Sequence, residues 1–563
     1  MRRSVKVAAL ASAATLLAIG ASMTSFAAAK GWTQEDGEWV WIDSTGDRAT
    51  ETFKLSGTTY YWLNDEGYLG CDELVDYNEN KYYVDETGAM VRNQWKEVEN
   101  TDDDEEFGDT VWYYFQSSGK AYKSGKKSIN GQSYIFDEDG KMLFGWIKKD
   151  GEDSYSKDSE DETDSDFWTG AEYYAGEAND GAVVTSAWRK IRVYFNEPGT
   201  NGAGLEVTNT EEGDNDFWFY FGSNGKKYGA PSVDYDSDEK ECGYVSKNIS
   251  GKKYAFSITD GHMLSEWTPV EASAASGAQY FSDPEVGARL TKGWFKVVPS
   301  EGVKKGDSED YDNNERWFYA DSQGDLIKSQ IKTINNKKYL FDEYGRCKAG
   351  LFYVEFASAA DYTVSNIESM DEDDISKSDF DNYTTPAGTY VKGTDTTKDS
   401  DRDGIYYFAK PIDTDAAMKT GTVTYNFDGD NYSFKFATAG YKGQGVTGRK
   451  DNSYYVNGRK LKAESDDKFI CYTATYDSNG KVETLTDNGF TGSAIIAKSS
   501  ASKTFRNTFA VINTSGTIIK SGTKKDGNDY KLVIADYKLT KILDSDSNVL
   551  ATFDGNGKNV TTN

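Results

Sequence analysis

A single histidine, His262, stands in a chain of 563 residues. With that one residue read as a turn position, Ser-His-Asp chemistry and histidine-ligated metal centres lack a base or a ligand set. His262 sits where Lys141 sits in a matching stretch, and is read as a variable turn residue. Cationic side chains are also in deficit, with 63 Lys and Arg against 93 Asp and Glu, a net charge of −30. A chain of that charge is not built for a phosphate backbone, so nucleic acid is excluded as a partner. Cysteines are few. Cys71, Cys242, Cys347 and Cys471 lie far apart without a shared motif, no bridge is expected, and Cys347 reads as an apolar filler. Glycine-rich phosphate motifs are missing. Carboxylates are so abundant that pairing two on paper is no argument for glycoside hydrolysis.

Long apolar runs are missing too, save one at the start. Arg2, Arg3 and Lys6 precede the run Val7 to Ile19, and Ala27 and Ala29 offer a small-residue cleavage site. Residues 1–29 therefore read as a secretory signal peptide. No later segment is long and apolar enough to span a bilayer. The expectation is an exported protein with no membrane span, either soluble or held outside the cell without a covalent or membrane tether.

What the chain has in abundance is aromatic side chains and glycine: 39 Tyr, 28 Phe, 13 Trp and 54 Gly. They recur as a phrase. Trp112-Tyr113-Tyr114-Phe115 is followed by Gly119, and Ser133-Tyr134-Ile135-Phe136 by Gly140, Met142 and Gly145-Trp146. Related phrases end at Gly261 with Met263 and at Gly345. Gly46, Gly67 and Gly88 stand 21 residues apart, as do Gly119 and Gly140. A fixed short period with aromatics and glycine is the mark of a repeat array. Runs such as Tyr60-Tyr61-Trp62-Leu63 alternate as strands do, and Asn130-Gly131, Ser250-Gly251 and Asn335-Asn336 suit two-residue hairpin loops. Acidic insertions at Asn100–Asp109, Asp150–Asp166 and Gly302–Glu315 replace that loop in longer units, and read as solvated and mobile. Residues 30–355 are thus expected to form an all-β solenoid of stacked hairpins of about 20 residues each. A polar acidic linker is expected over 356–403. A β-rich region over 404–563 follows, either degenerate repeats or a separate small domain. Asp399, Asp401 and Asp403 before Gly404 resemble the opening of a calcium loop, but Lys410 stands where the closing Glu is needed. No metal or other cofactor is expected.

The pattern Trp-Tyr-Tyr-Phe, Gly, Met, Gly-Trp resembles the choline-binding, or cell-wall-binding, repeat family over residues 31–355. Similar repeats occur in the glucan-binding regions of glucosyltransferases and in the receptor-binding repeats of clostridial toxins. The resemblance implies aromatic cages between adjacent hairpins, where ring faces attract a quaternary ammonium at ~0.5–2 kcal/mol per contact or stack on a sugar. Carried over by position, the cages are Trp95, Trp112 and Tyr134 with Met142; Trp188, Trp218 and Tyr254 with Met263; Trp294, Trp317 and Tyr339; and Trp32, Trp39 and Tyr61. Trp146 and Trp168 begin a fifth. The chain departs from the family where Ser133, Lys253 and Lys338 replace the first Trp. The implied function is non-catalytic binding to a cell-wall polymer, either choline-decorated teichoic acid or a glucan. Two alternatives stand beside it: a wall-active enzyme whose catalytic part is 404–563, and a structural spacer or adhesin displaying acidic loops to a host partner.

Overall fold

The structure, a computed structural model, describes residues 30–101, 107–152, 154–158, 167–195, 206–208, 210–230, 234–270, 277–300, 303, 314–358, 360–386, 389–391, 402–476, 482–487, 509–554 and 560. The signal-peptide reading lies outside them, as do Asp399 and Asp401. The described chain is nearly all β and divides into two compact units, residues 1–196, 212–234 and 259–262 in one and the remainder in the other.

In the first unit antiparallel hairpins follow one another: Gly31–Glu35 with Glu38–Ile42, Thr52–Ser56 with Thr59–Leu63, Glu73–Tyr77 with Asn80–Val84, Gln94–Glu99 with Thr110–Phe115, and Gly125–Ile129 with Gln132–Phe136. Gly145–Lys149 then pairs with Tyr155–Lys157 and Tyr173–Ala175, and Ala187–Phe195 with Gly213–Phe221. The tight turns have positive φ at both central residues, as at Asn130 and Gly131, the geometry whose twist matches the strands.

One backbone hydrogen bond joins each hairpin to the one before it. Two residues after the unit glycine, an N–H donates to a carbonyl at the start of the preceding aromatic strand. Leu69 donates to Trp39, Met90 to Tyr60, Ala121 to Lys81, Met142 to Trp112 and Val183 to Ser133, each at 2.8 Å. The same side chains lie over the next glycine. A Cβ on Gly88 would overlap Leu69, one on Gly119 would overlap Met90, and one on Gly181 would overlap Met142. The co-occurrence of glycine and methionine is thus a packing pair. An aspartate three residues before the glycine closes the turn: Asp85 Oδ1 accepts the N–H groups of Thr87 and Ala89, and Asp137 Oδ1 those of Asp139 and Lys141.

The second unit repeats these features. Its hairpins include Tyr244–Ile249 with Lys252–Ser257, Gly293–Val297 with Arg316–Ala320, and Gln330–Ile334 with Lys337–Phe341. Arg289 donates to Lys253 O and Met418 to Lys338 O, both at 2.8 Å. The rung persists beyond residue 404, where Gly445 donates to Ile405 O at 2.7 Å and Ile518 to Asn452 O at 2.9 Å.

Two expectations need correction. Residues 356–403 are not merely a linker: Val364–Ser369 is a strand on Gly350–Phe356, and Lys377–Thr384 is a helix capped by Ser376. Phe380 of that helix is fully buried and stacks on Phe427 at 4.1 Å, which explains why so polar a stretch is held. The acidic insertions are not free of apolar anchors, since Phe107 and Val303 are buried and Tyr155–Lys157 adds a strand. Cys347 is buried as a filler, and all four cysteines are free thiols. No helix among the described residues is long and apolar enough to cross a membrane.

Overlap with Met142 sets a test of the packing pair. Gly181→Ala should cost about 1–3 kcal/mol from overpacking, besides the strain of its positive φ. Gly131→Ala, whose Cβ meets nothing within 4 Å, should cost only the strain. Denaturant unfolding of both variants, and of Gly181→Ala with Met142→Ala, checks this: the double variant should recover part of the loss.

Candidate aromatic notches

A hairpin strand has two faces, and here they do different work. In Thr110–Phe115 the residues Val111, Tyr113 and Phe115 are buried, while Trp112 and Tyr114 stay half-buried on the other face beside Trp95. Each of the four expected groups is built on such an outer face. All twelve of their Trp and Tyr members are half-buried, so ring edges and faces remain in contact with solvent.

A first Trp acts as the hub. Trp95 lies 4.8 Å from Tyr134 and 5.3 Å from Tyr114, both edge-on, and stacks on Phe136 at 5.6 Å. Trp112 packs in the same cluster, with Ile129 beneath. Trp294 repeats the arrangement, 4.9 Å from Tyr339, 5.2 Å from Tyr319, stacked on Phe341 at 5.6 Å and 6.3 Å from Trp317. Trp32 lies 5.4 Å from Tyr61, 5.4 Å from Trp41 and 6.3 Å from Trp39. Nearly perpendicular rings of this kind leave a corner lined by π faces, suited to a cation or to the apolar face of a sugar. Trp188 meets Trp218 at 6.4 Å, 85° apart, and Tyr220 at 5.2 Å. Tyr254 and Met263 belong to the other compact unit. Three of the four expected trios are therefore gathered, and of the remaining one the Trp pair.

The two methionines named with these groups also serve the stacking: Met142, in one cluster with Trp95, Trp112 and Tyr134, is buried over Gly181, and Met263 is buried over Gly287. Cross-strand partners Trp41, Tyr114, Tyr220 and Tyr319 were not assigned to the cages by the sequence reading. The signal was present in the alternation of Trp-Tyr-Tyr-Phe, which sets the first and third aromatic on one face.

The Trp146–Trp168 pair is corrected outright. Both rings are buried, and the fully buried ammonium of Lys227 lies 5.3 Å from Trp146, 5.8 Å from Trp168 and 5.8 Å from Phe219. It donates to the carbonyls of Trp168 at 2.7 Å and Thr169 at 3.1 Å. Burial pushes its pKa down to about 7, against the pull of Asp260. The chain's own cation fills this corner. His262 is corrected as well: it is buried, with Nδ1 2.6 Å from Asp260 Oδ1 and its ring stacked on Phe217 at 4.2 Å. It is a core residue rather than an exposed turn. Asp403, flagged as the end of a calcium-like run, accepts the Phe356 N–H at 2.9 Å.

Comparison with known proteins follows the same lines. Glucosyltransferase-S of Streptococcus mutans is 28% identical over 220 residues, 34% of this chain and 14% of that protein. Glucosyltransferase-I of Streptococcus downei is 24% identical over 543 residues, 91% of this chain and 29% of that protein. The chain resembles the choline-binding, or cell-wall-binding, repeat family. It spans less than a third of the length of these curated relatives. Among solved structures, choline binding protein F of Streptococcus pneumoniae is 15% identical, covering 58% of this chain and 95% of that one, with a TM-score of 0.29. No protein-family model matches.

Lys227 makes a pH test. Its folded pKa lies below the ordinary 10.5, so between about pH 7 and 10 the unfolded chain binds more protons and stability rises with pH. Between pH 7 and 8.5, denaturant unfolding should show the wild type gaining on Lys227→Met by roughly 1 kcal/mol per pH unit. Parallel curves would contradict it.

Proposed function

We propose that this protein is a non-catalytic, exported binding protein. Its half-exposed Trp-hub corners, within residues 30–355, engage cell-wall choline or a glucan-like polysaccharide and hold the chain at the bacterial surface. The observation that carries this reading is repetition: the same hub, cross-strand ring and next-unit Tyr recur around Trp32, Trp95 and Trp294 with centroid distances within a few tenths of an ångström. Core packing alone would bury such rings. Individually weak corners on one chain act together on a polymer, because the second contact forms at high effective concentration. The residues from 404 onward, which keep the inter-hairpin rung, extend the array in this reading.

An enzymatic reading is favoured by the names of the relatives, which are glucosyltransferases. Against it, the match covers only 14% and 29% of those proteins. Cosedimentation decides between them. The full chain should be retained on choline-bearing cell walls or on insoluble α-glucan, and Trp95→Ala with Trp294→Ala should weaken retention at least tenfold. Absence of retention on both polymers, or turnover of either, would overturn the proposal.

A further inference from the structure

The notches share their aromatic framework and differ in one position. Directly opposite the second Trp, across the hairpin and on the same face, stands Gln34 for Trp39, Glu97 for Trp112, Lys190 for Trp218 and Lys296 for Trp317. Directly opposed side chains on one face of an antiparallel pair are neighbours, with Cβ atoms about 5 Å apart. A neutral, an acidic and two basic residues therefore face otherwise matching indoles.

The basic case is fully drawn at Trp317. The Lys296 ammonium lies 6.0 Å from the ring centroid and 2.9 Å from Asp413 Oδ1. Asp413 also accepts the Trp317 indole N–H at 2.7 Å, and neighbouring Ile412 packs into the Trp294, Trp317 and Tyr339 cluster. Both come from a loop longer than its counterparts. Phe408 bridges to Met418, ten residues on, where Phe136 bridges to Met142 across six. The place of a bound cation over the indole is thus contested by the chain's own ammonium, and the Asp413 carboxylate beside it is already ion-paired. Beside Trp317 lies a cleft of about 550 Å³, lined also by Asn314, Glu315 and Arg316. Its size is ordinary for a small-ligand site. An indole face flanked by amide, guanidinium, ammonium and carboxylate groups matches a sugar, which offers one apolar face and a rim of hydroxyls.

At Trp112 the situation is reversed. Glu97 is exposed and accepts the Thr110 hydroxyl at 2.9 Å, a neutral donor that leaves its charge in place. A negative charge beside the ring faces of Trp95, Trp112 and Tyr134 adds to their attraction for a cation.

We propose that the Trp294–Trp317–Tyr339 notch is a saccharide subsite from which Lys296 excludes quaternary ammonium groups, while Glu97 leaves the Trp95–Trp112–Tyr134 notch open to them. This rests on the binding reading above and adds a division of labour to it: one chain grips a cationic substituent and a neutral sugar at different corners.

Isothermal titration of the full chain with choline and with isomaltotriose tests it. Glu97→Lys should weaken choline binding at one site at least tenfold. Lys296→Gln should add one choline site to those of the wild type, and Trp317→Ala should remove one isomaltotriose site. Thermal melting checks that each variant is folded. Lys296→Gln binding no more choline than the wild type, or isomaltotriose binding indifferent to Trp317→Ala, would overturn the division while polymer retention kept the binding reading intact. Failure of every variant to bind either probe, together with loss of polymer retention, would end both.

Discussion

Everything in this array depends on a glycine that has no Cβ where the previous unit needs room. The residue two positions after one glycine lies over the next: Leu69 over Gly88, Met90 over Gly119, Met142 over Gly181 and Arg289 over Gly324, and Met418, which follows Ala416 instead, lies likewise over Gly443. Its backbone N–H simultaneously ties the turn to the preceding hairpin. One side-chain contact and one hydrogen bond thus fix the offset between neighbours. An isolated two-stranded hairpin is marginal in water, so this offset is what lets each buried face find a partner. Strand length, loop length and insertion can then vary freely between fixed points.

With the offset set, period-2 alternation decides the rest. Sending Val111, Tyr113 and Phe115 inward sends Trp112 and Tyr114 outward, and the next unit's Tyr134 is delivered beside Trp95 by the same rung that carries Met142. The notch is therefore a by-product of stacking rather than a separately built site. Its aromatic walls repeat because the rung repeats. Its charge does not, because the cross-strand residue opposite the second Trp takes no part in the rung and is exposed or half-exposed.

This explains what the amino-acid sequence conveyed and what it withheld. The spacing of Gly, Met and Trp-Tyr-Tyr-Phe announced hairpins, their tight turns and three of the four trios, since local periodicity governs those. An aspartate three residues before the glycine recurs at Asp43, Asp85, Asp137, Asp321 and Asp342 and went unread, though Asp85 and Asp137 close their turns with it. Burial of His262 was invisible because it depends on Phe217 and Asp260, of which only the latter is near in sequence. The helix Lys377–Thr384 was hidden in a polar stretch because its anchors lie on distant segments: Phe380 on Phe427, Tyr383 against Tyr353 and Asp381 paired with Arg459. Nothing local marked Lys227 as an internal cation, since the rings around it come from Trp146, Trp168 and Phe219.

That lysine shows how one position serves both the stacking and the aromatic corner beside it. It occupies the slot two residues after Gly225, where its equivalents are Leu69, Met90, Met142 and Val183, and it lies over Gly261 as they lie over their glycines. An apolar residue in this slot merely covers the next turn. A lysine is long enough to cover it and still place its ammonium between two indoles, where the carbonyls of Trp168 and Thr169 complete its hydrogen bonds. The same substitution that preserves the stacking therefore closes a corner to outside cations. Lys296 acts on its corner from the opposite strand, outside the rung altogether. Two unrelated positions thus tune the aromatic array without altering its period, so copies of one unit can diverge in what they hold while remaining interchangeable in how they stack.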